Sequence, residues 1–409
     1  MSDRVVLHCD CNSFFASVEC ALHPEYKNVP MAVCGSVEDR RGIVLAKNEL
    51  AKKYNIQTAE TVFSAKKKCP DLVIAEPHHG LYSEFSKRVN DIYRRYTDMI
   101  EPFGIDESWL DVTASQKIFG NGYEIAKKIS EAVKKEIGIT ISVGVSFNKV
   151  FAKLGSDYKK PDAITVISPE NFKSIVYPLP VSSLLFVGKK TEEQLLKMGI
   201  KTIGELALSS REMLSSRLGK NGELLHRYAL GEDESPVTSS AREDMKSISN
   251  GITFRHDLIT ADEYRIGIEF LSEEIGTRLR EKGLKAETVQ ITIKDEYLRT
   301  IQRQQPQNPP SDIGAEISKT AQSILASQWK SGKPIRMLTV SVSNLIKSED
   351  ASRQISILEN PEDPKRNKKL KTEITLDKIR QKHGRESIVK GAVLDTDLGI
   401  YTAPEKKNI

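Results

Sequence analysis

Val6-Leu-His-Cys-Asp-Cys-Asn-Ser-Phe-Phe-Ala-Ser-Val-Glu19 is the stretch from which the fold can be worked out. With Arg4 and Val5 before it, residues 4–9 make a run of strand length and read as a buried strand. Asn12 and Ser13 then offer a helix N-cap, and Phe14–Ala21 continues as a helix. Asp10 therefore ends a strand. Further on, Met31–Cys34 and Gly42–Ala46 read as short strands and Asn48–Tyr54 as helix. Tyr82, Phe85, Val89, Ile92, Tyr93 and Tyr96 recur at three- and four-residue spacing, which predicts an amphipathic helix over Leu81–Tyr96.

The rhythm changes at Ile100-Glu-Pro-Phe-Gly-Ile-Asp-Glu-Ser-Trp-Leu-Asp-Val112, which reads as a β-hairpin turning near Pro102–Gly104. Asp106 and Glu107 lie side by side on it. A helix (Tyr123–Glu136), a strand (Thr140–Ser146), a helix (Asn148–Ser156) and a strand (Asp162–Ile167) follow. This mixed order predicts an α+β domain with an antiparallel sheet. From about residue 170 the pattern is helical and short, with Lys189–Lys197 and Ile203–Leu208 beside Gly188 and Gly199. The polar stretch Arg242–Ser249 reads as a linker. Strand Ile248–Phe254, helix Ala261–Glu281, strands Thr288–Lys294 and Arg299–Gln305, helix Ser311–Gln328 and strand Arg336–Leu345 then suggest a second α+β domain built from two β-α-β halves. Residues 349–409 are charged and less regular.

The chain has 409 residues, which suggests about two to four domains. Hydrophobic residues at 39% and charged residues at 29% fit a water-soluble globular protein. Nothing approaches the ~20 apolar residues of a membrane helix, and the N-terminus runs straight into a strand instead of a signal peptide. Cysteines stand at 9, 11, 20, 34 and 69, with no C-x-x-C pair, so neither a disulfide scaffold nor a zinc site is expected. These features predict reduced thiols and a cytoplasmic location. The net charge of +5 falls short of a nucleic-acid signature by itself. The basic clusters Lys66–Lys68, Lys159-Lys160 and Lys365–Lys371 are separated along the chain, as a groove following a nucleic-acid backbone requires.

Asp10, Asp106 and Glu107 suit phosphoryl transfer, which needs charge neutralisation more than covalent help. Paired Mg²⁺ ions about 3.5–4 Å apart supply it, and Mg²⁺ prefers carboxylate and carbonyl oxygen. Spacing alone does not choose these three. An Asp after a strand also serves as a helix cap, an Asp-Glu pair also serves a turn, and Asp111 is as acidic and as close.

Four collinear segments resemble Y-family DNA polymerases: 6–19; Phe103-Gly-Ile-Asp-Glu-Ser-Trp-Leu-Asp111; Ser142-Val-Gly-Val-Ser-Phe-Asn-Lys-Val-Phe-Ala-Lys-Leu-Gly-Ser156 with Lys160-Pro161; and Phe186-Val-Gly-Lys-Lys-Thr191 with Gly199-Ile-Lys-Thr-Ile-Gly-Glu-Leu206. The resemblance implies that Asp10 and Asp106 are metal-binding aspartates and that Glu107 is the catalytic glutamate on the primer-side metal. It implies two Mg²⁺ per site, with the main-chain carbonyl of Cys11 completing the nucleotide-side ion. Phe15 would be the steric gate that leaves no room for a ribose 2′-hydroxyl. Phe14, Lys52 and Lys160 would stand at the nucleotide, Lys160 on its triphosphate.

The same resemblance implies a right-hand α+β multidomain fold. Palm would be 1–12 and 75–165, fingers 13–74, helical thumb 166–240 with a helix-hairpin-helix near 183–208, linker 241–245, little finger 246–348 and tail 349–409. The overall likeness is to the polymerase IV branch. That branch has a Tyr and an Arg at the start of the fingers helix, where this chain has Glu49 and Lys52, and both Ala46-Lys-Asn-Glu-Leu-Ala-Lys52 and Asp10-Cys-Asn-Ser-Phe-Phe15 are closer to the polymerase V catalytic-subunit branch. Lys52 keeps the charge of an Arg but not its bidentate fork, and Glu49 would repel a triphosphate unless turned away. Gln354-Ile-Ser-Ile-Leu358 resembles a sliding-clamp peptide with Gln354, Ile357 and Leu358 as anchors. Residues 366–409 read either as a helix and a basic arm on DNA or as a solvated tail. The function implied is low-fidelity, translesion DNA synthesis without proofreading. The partners implied are primer-template DNA, dNTPs and the clamp, for a monomer with no membrane attachment. An inactive clamp-bound adaptor and a nucleotide cyclase are the alternatives. An adaptor lacks the acidic trio, and a cyclase needs no thumb or little finger.

Overall fold

The structure is a computed structural model describing residues 4–238, 245–330, 332–350, 364–394 and 396–400. It divides into two compact units, one of Met1–Gly35 with Ile43–Glu243 and one of Ser36–Gly42 with Asp244–Ile409.

The first unit contains strands β1 (Val6–Cys11), β2 (Met31–Cys34), β3 (Val44–Lys47), β4 (Val73–Ala75), β5 (Ile100–Pro102), β6 (Glu107–Asp111), β7 (Ile141–Ser146) and β8 (Ile164–Ile167). The main sheet has the order β5-β6-β1-β7-β8, and a smaller one the order β3-β2-β4. β1 is paired antiparallel on both sides, to β6 and β7, and all six of its residues are buried. That explains why its sequence shows no polar alternation. The sheet is not wholly antiparallel as predicted. β8 joins β7 in parallel, reached through the helix Lys149–Tyr158, which gives the chain the crossover that a parallel pair needs.

Two helices cover the sheet through apolar stripes. His79–Tyr93 buries Tyr82, Phe85, Val89, Ile92 and Tyr93. Gly122–Ile137 buries Ile125, Ile129, Val133 and Ile137, starts in a capping box of Asn121 and Glu124, and ends on Gly138 at φ 81°. The helix after β1, Phe14–Leu22, departs from expectation at its start. Ser13 is in the left-handed region (φ 48°) and its side chain caps nothing. Asn12 instead ties the corner together, accepting from Ser142 Oγ at 2.8 Å and donating to Thr140 Oγ1 at 3.0 Å.

Residues beyond 170 pack a second core around Leu195, Ile203, Leu206, Leu214 and Leu225, shared with Phe151 and Leu154 of the helix Lys149–Tyr158. Lys189–Lys197 and Ile203–Leu208 fall where the sequence predicts them. Arg211–Leu218 and Lys220–Ala229 were not anticipated. Arg211–Leu218 has no coherent apolar face, and each of the two starts and stops within ten residues.

The second unit adds β9 (Ser247–Leu258), β10 (Leu284–Lys294), β11 (Thr300–Ser311) and β12 (Ile335–Lys347), all antiparallel in the order β11-β10-β12-β9. Helices Ala261–Glu281 and Gly314–Gln328 pack on the sheet over Val289, Ile291, Ile293, Leu338, Val340 and Val342. β11 runs to Ser311, past its predicted end at 305 and through Pro306, Pro309 and Pro310. It is an edge strand, where a missing N–H costs little. The region expected to be irregular contains the 20-residue helix Pro364–His383. No described helix is long and apolar enough to cross a membrane.

One close approach positions the site. The helix Lys149–Tyr158 lies so near β7 that a Cβ on Gly144 would come 1.8 Å from the Ala152 carbonyl oxygen. Gly155 faces Gly144 from the helix side. Gly144→Ala must therefore push the helix away. Expected is a loss of about 1–3 kcal/mol or more in stability, read as a lowered melting temperature with reduced activity in the fraction that still folds.

Candidate active site

The β1–β6 ladder sets Asp10 directly opposite Glu107. The Cys11 N–H donates to the Asp106 carbonyl at 2.9 Å, which closes the hairpin turn onto the end of β1. Asp10, Cys11, Phe14, Phe15, Lys52, Asp106, Glu107 and Lys160 all border one cleft of about 510 Å³. Asp111 is excluded by register. It pairs with Val6 at the far end of β1 and accepts from Thr113. Gln354, Ile357 and Leu358 lie outside the described residues.

Two lysines face the carboxylates. Lys160 Nζ is 2.7 Å from Asp10 Oδ2 and 2.7 Å from Asp157 Oδ1. Lys153 pairs with Glu107. His8, fully buried, places Nε2 3.3 Å from the same Glu107 oxygen and Nδ1 2.8 Å from Ser156 Oγ. Burial pushes the Glu107 carboxyl up, but His8 and the Lys153 ammonium outweigh it and hold its pKa at about 2. Asp10 and Asp106 go the other way. Burial raises both, and the charges of Asp10 and Glu107 raise Asp106 further. Burial lowers the pKa of His8 against the pull of Glu107.

This donor set fits a hard divalent cation. Asp10, Asp106 and Glu107 offer carboxylate oxygens whose mutual repulsion such an ion relieves. Ligand atoms of His8, Asp10 and Glu107 lie within 4.8 Å of one another. Burial drives the Cys9 and Cys11 thiols far up, so neither is a thiolate at neutral pH, and Cys11 is left with its backbone.

Phe15 stacks on Tyr82 at 4.1 Å and 12°, and the Tyr82 hydroxyl donates to buried Glu19 at 2.6 Å. Phe14 is buried against Tyr82 and the core and is also one of the residues bordering the cleft. In the segment after β3 Lys52 borders the cleft and pairs with Glu49 at 2.6 Å. Glu49 itself lines a different cavity, with Asn12, Asn48 and Thr140.

His8, Lys47 and Lys153 also belong to the site and were not singled out from the sequence. His8 shares a strand face with Asp10 by two-residue alternation, and Lys153 stands one helical turn from Ser156. Those are weak signals, because each becomes meaningful only once the β1–β6 register is known.

Residues 9–157 match the impB/mucB/samB family and residues 245–357 match that family's C-terminal domain. The chain is 48% identical over 392 residues to a DNA polymerase IV of Acetivibrio thermocellus, covering 96% of this chain and 98% of that one. It is 34% identical over 391 residues to DNA polymerase IV 1 of Bacillus subtilis strain 168, covering 96% and 93%. The fold is similar to that of a solved Y-family DNA polymerase chimera, Dbh-Dpo4(243-245)-Dbh, with a TM-score of 0.74 over 84% of this chain and 99% of that one, at 24% identity. The chain belongs to the Y family of DNA polymerases. These relatives, which match nearly the whole length, are DNA polymerases IV, whereas the polymerase V-like spelling concerns two short stretches, residues 10–15 and 46–52.

Asp106 carries the like-charge cost of the cleft, so Asp106→Asn trades function for stability. It is expected to raise the melting temperature of the metal-free protein by about 2–4 °C, the shift for ~1 kcal/mol in a unit of this size. It is also expected to blunt the further rise that a divalent cation gives the unsubstituted protein. A lowered metal-free melting temperature would contradict the repulsion.

Proposed function

We propose that this chain is a low-fidelity, DNA-directed DNA polymerase that extends primers across damaged template without proofreading. The observation that carries the reading is the single cleft in which three carboxylates, four lysines and a stacked aromatic floor meet. Family membership supports the same activity.

Asp10, Asp106 and Glu107, with the Cys11 carbonyl, are the residues that would hold two Mg²⁺ ions. Bound there, Mg²⁺ supplies charge neutralisation at the triphosphate and acidifies the primer 3′-hydroxyl. The protein's own part is positioning. Lys160 exchanges its Asp10 and Asp157 partners for triphosphate oxygens, and Lys52 adds a second point charge. Glu49, turned to another cavity, screens Lys52 without facing the nucleotide. Phe15, backed by Tyr82, lies under the sugar and excludes a 2′-hydroxyl. Palm (1–12, 75–165), fingers (13–74), thumb (166–240) and little finger (246–348) hold the primer-template. Gln354, Ile357 and Leu358 attach the chain to the sliding clamp. We assign it to the cytoplasm, as a monomer.

The reading is tested by primer extension with Mg²⁺ and dNTPs on intact and lesion-bearing templates. No extension by the intact protein, where another polymerase succeeds, would sink it. Phe15→Ala is expected to lower discrimination against ribonucleotides by at least about tenfold, measured by competing dNTP and rNTP incorporation. Deleting 354–358 is expected to leave basal extension unchanged and to remove stimulation by the clamp. Equal stimulation of both proteins would refute the peptide's role.

A further inference from the structure

The helix Pro364–His383 has no part in the cleft. It carries eight cationic and two acidic side chains, more net positive charge than the +5 of the whole chain. None of its side chains is buried, so no apolar stripe holds it in place. Ion pairs do. Arg280, almost fully buried, reaches Asp377 at 2.6 Å and Glu373 at 2.5 Å. Arg366 pairs with Glu316 at 2.8 Å and Arg380 with Glu273 at 2.8 Å. Glu373 also accepts from the Gly314 N–H at 2.9 Å, which caps the helix Gly314–Gln328.

These contacts sort the charges. Positions 366, 373, 377 and 380 form one helical face, and both acids of the helix are on it. The opposite face shows Lys368, Lys371, Lys378 and Lys382, all exposed. Lys368, Lys371 and Lys378 have no acidic residue three or four positions away, and Glu386, four positions after Lys382, lies past the end of the helix, so the intrahelical pairs that usually make a charged helix soluble are missing. Lys368 with Lys371, and Lys378 with Lys382, are instead like-charge neighbours, each pair costing a few tenths of a kcal/mol. Nearby carboxylates are already engaged: Glu269 by Arg265, Glu273 by Arg380 and Lys390, and Glu274 by Arg385.

We propose that this lysine face binds the phosphate backbone of duplex DNA as a sequence-independent hold additional to the polymerase cleft. The chemistry selects this partner. A protein interface needs an apolar centre, a membrane surface needs an apolar face beside the basic one, and single-stranded nucleic acid needs aromatic platforms. A duplex backbone needs only a row of cations. Residues 368 to 382 span about 21 Å of helix, enough to follow several phosphates.

The inference rests on DNA being the substrate, as proposed above. The full-length protein and its K368Q/K371Q/K378Q/K382Q variant are compared for binding to a fluorescent blunt duplex between about 50 and 300 mM salt. Expected is a fall in the slope of log K against log salt of about 1 for each lysine that reaches a phosphate, about 3 to 4 in all. Affinity falls at every salt concentration, and primer extension at saturating DNA is unchanged. The corresponding four-arginine variant keeps the slope. An unchanged slope with extension intact overturns the proposal alone, as does a defect confined to clamp-stimulated synthesis, which would give the face to the clamp. Failure of the unsubstituted protein to bind or extend DNA overturns the proposed function and this inference with it.

Discussion

The middle strand of the main sheet has a neighbour on each side and no exposed residue, and this confinement governs the site. Asp10 cannot move away from Glu107 without breaking ladders to both β6 and β7. The turn carrying Asp106 is tied to the same strand through the Cys11 N–H. Negative charge is thus gathered by backbone pairing, against the preference of the side chains. Burial and repulsion raise Asp10 and Asp106, and Lys153, Lys160 and His8 oppose the cost. Sites arranged to bind cations commonly store strain in this form. The helix bearing both Lys153 and Asp157 reaches the carboxylates because Gly144 and Gly155 let it press onto β7.

How much of this could be read beforehand depends on the range of the interaction. Helix Ala261–Glu281 was legible to the residue, because Thr260 and Glu263 form a capping box and the apolar stripe is long. The hairpin holding Asp106 and Glu107 was legible from its turn residues. The choice of that pair over Asp111 was not. It depends on which residues of β1 and β6 stand opposite each other, and resemblance supplied it before the register did. His8 and Lys153 escaped because their role exists only across strand and helix. The helix Pro364–His383 was one of two alternatives that the sequence left open, for another reason. Sequence periodicity detects apolar faces, and this helix is attached by carboxylates to a buried arginine 93 and 97 residues away.

The segment after β3 shows a local departure absorbed by geometry. An acidic residue at position 49 is incompatible with a facing triphosphate, yet Glu49 borders another cavity while its carboxylate holds Lys52. The exposed pair is weak by nature, so Lys52 is free to exchange partners. A single ammonium in place of an Arg fork gives up directional grip and keeps charge.

The stack beneath the cleft reaches further than its two rings. Phe15 rests on Tyr82, Tyr82 is tied to Glu19, and Glu19 also meets His78 Nδ1 at 2.9 Å from a wholly buried position. The ring that we propose lies under an incoming sugar is thus anchored in the packed interior. On that proposal, inherited changes at Tyr82 or Glu19, neither of which borders the cleft, would surface as an altered choice between sugars before they surfaced as a protein that fails to fold.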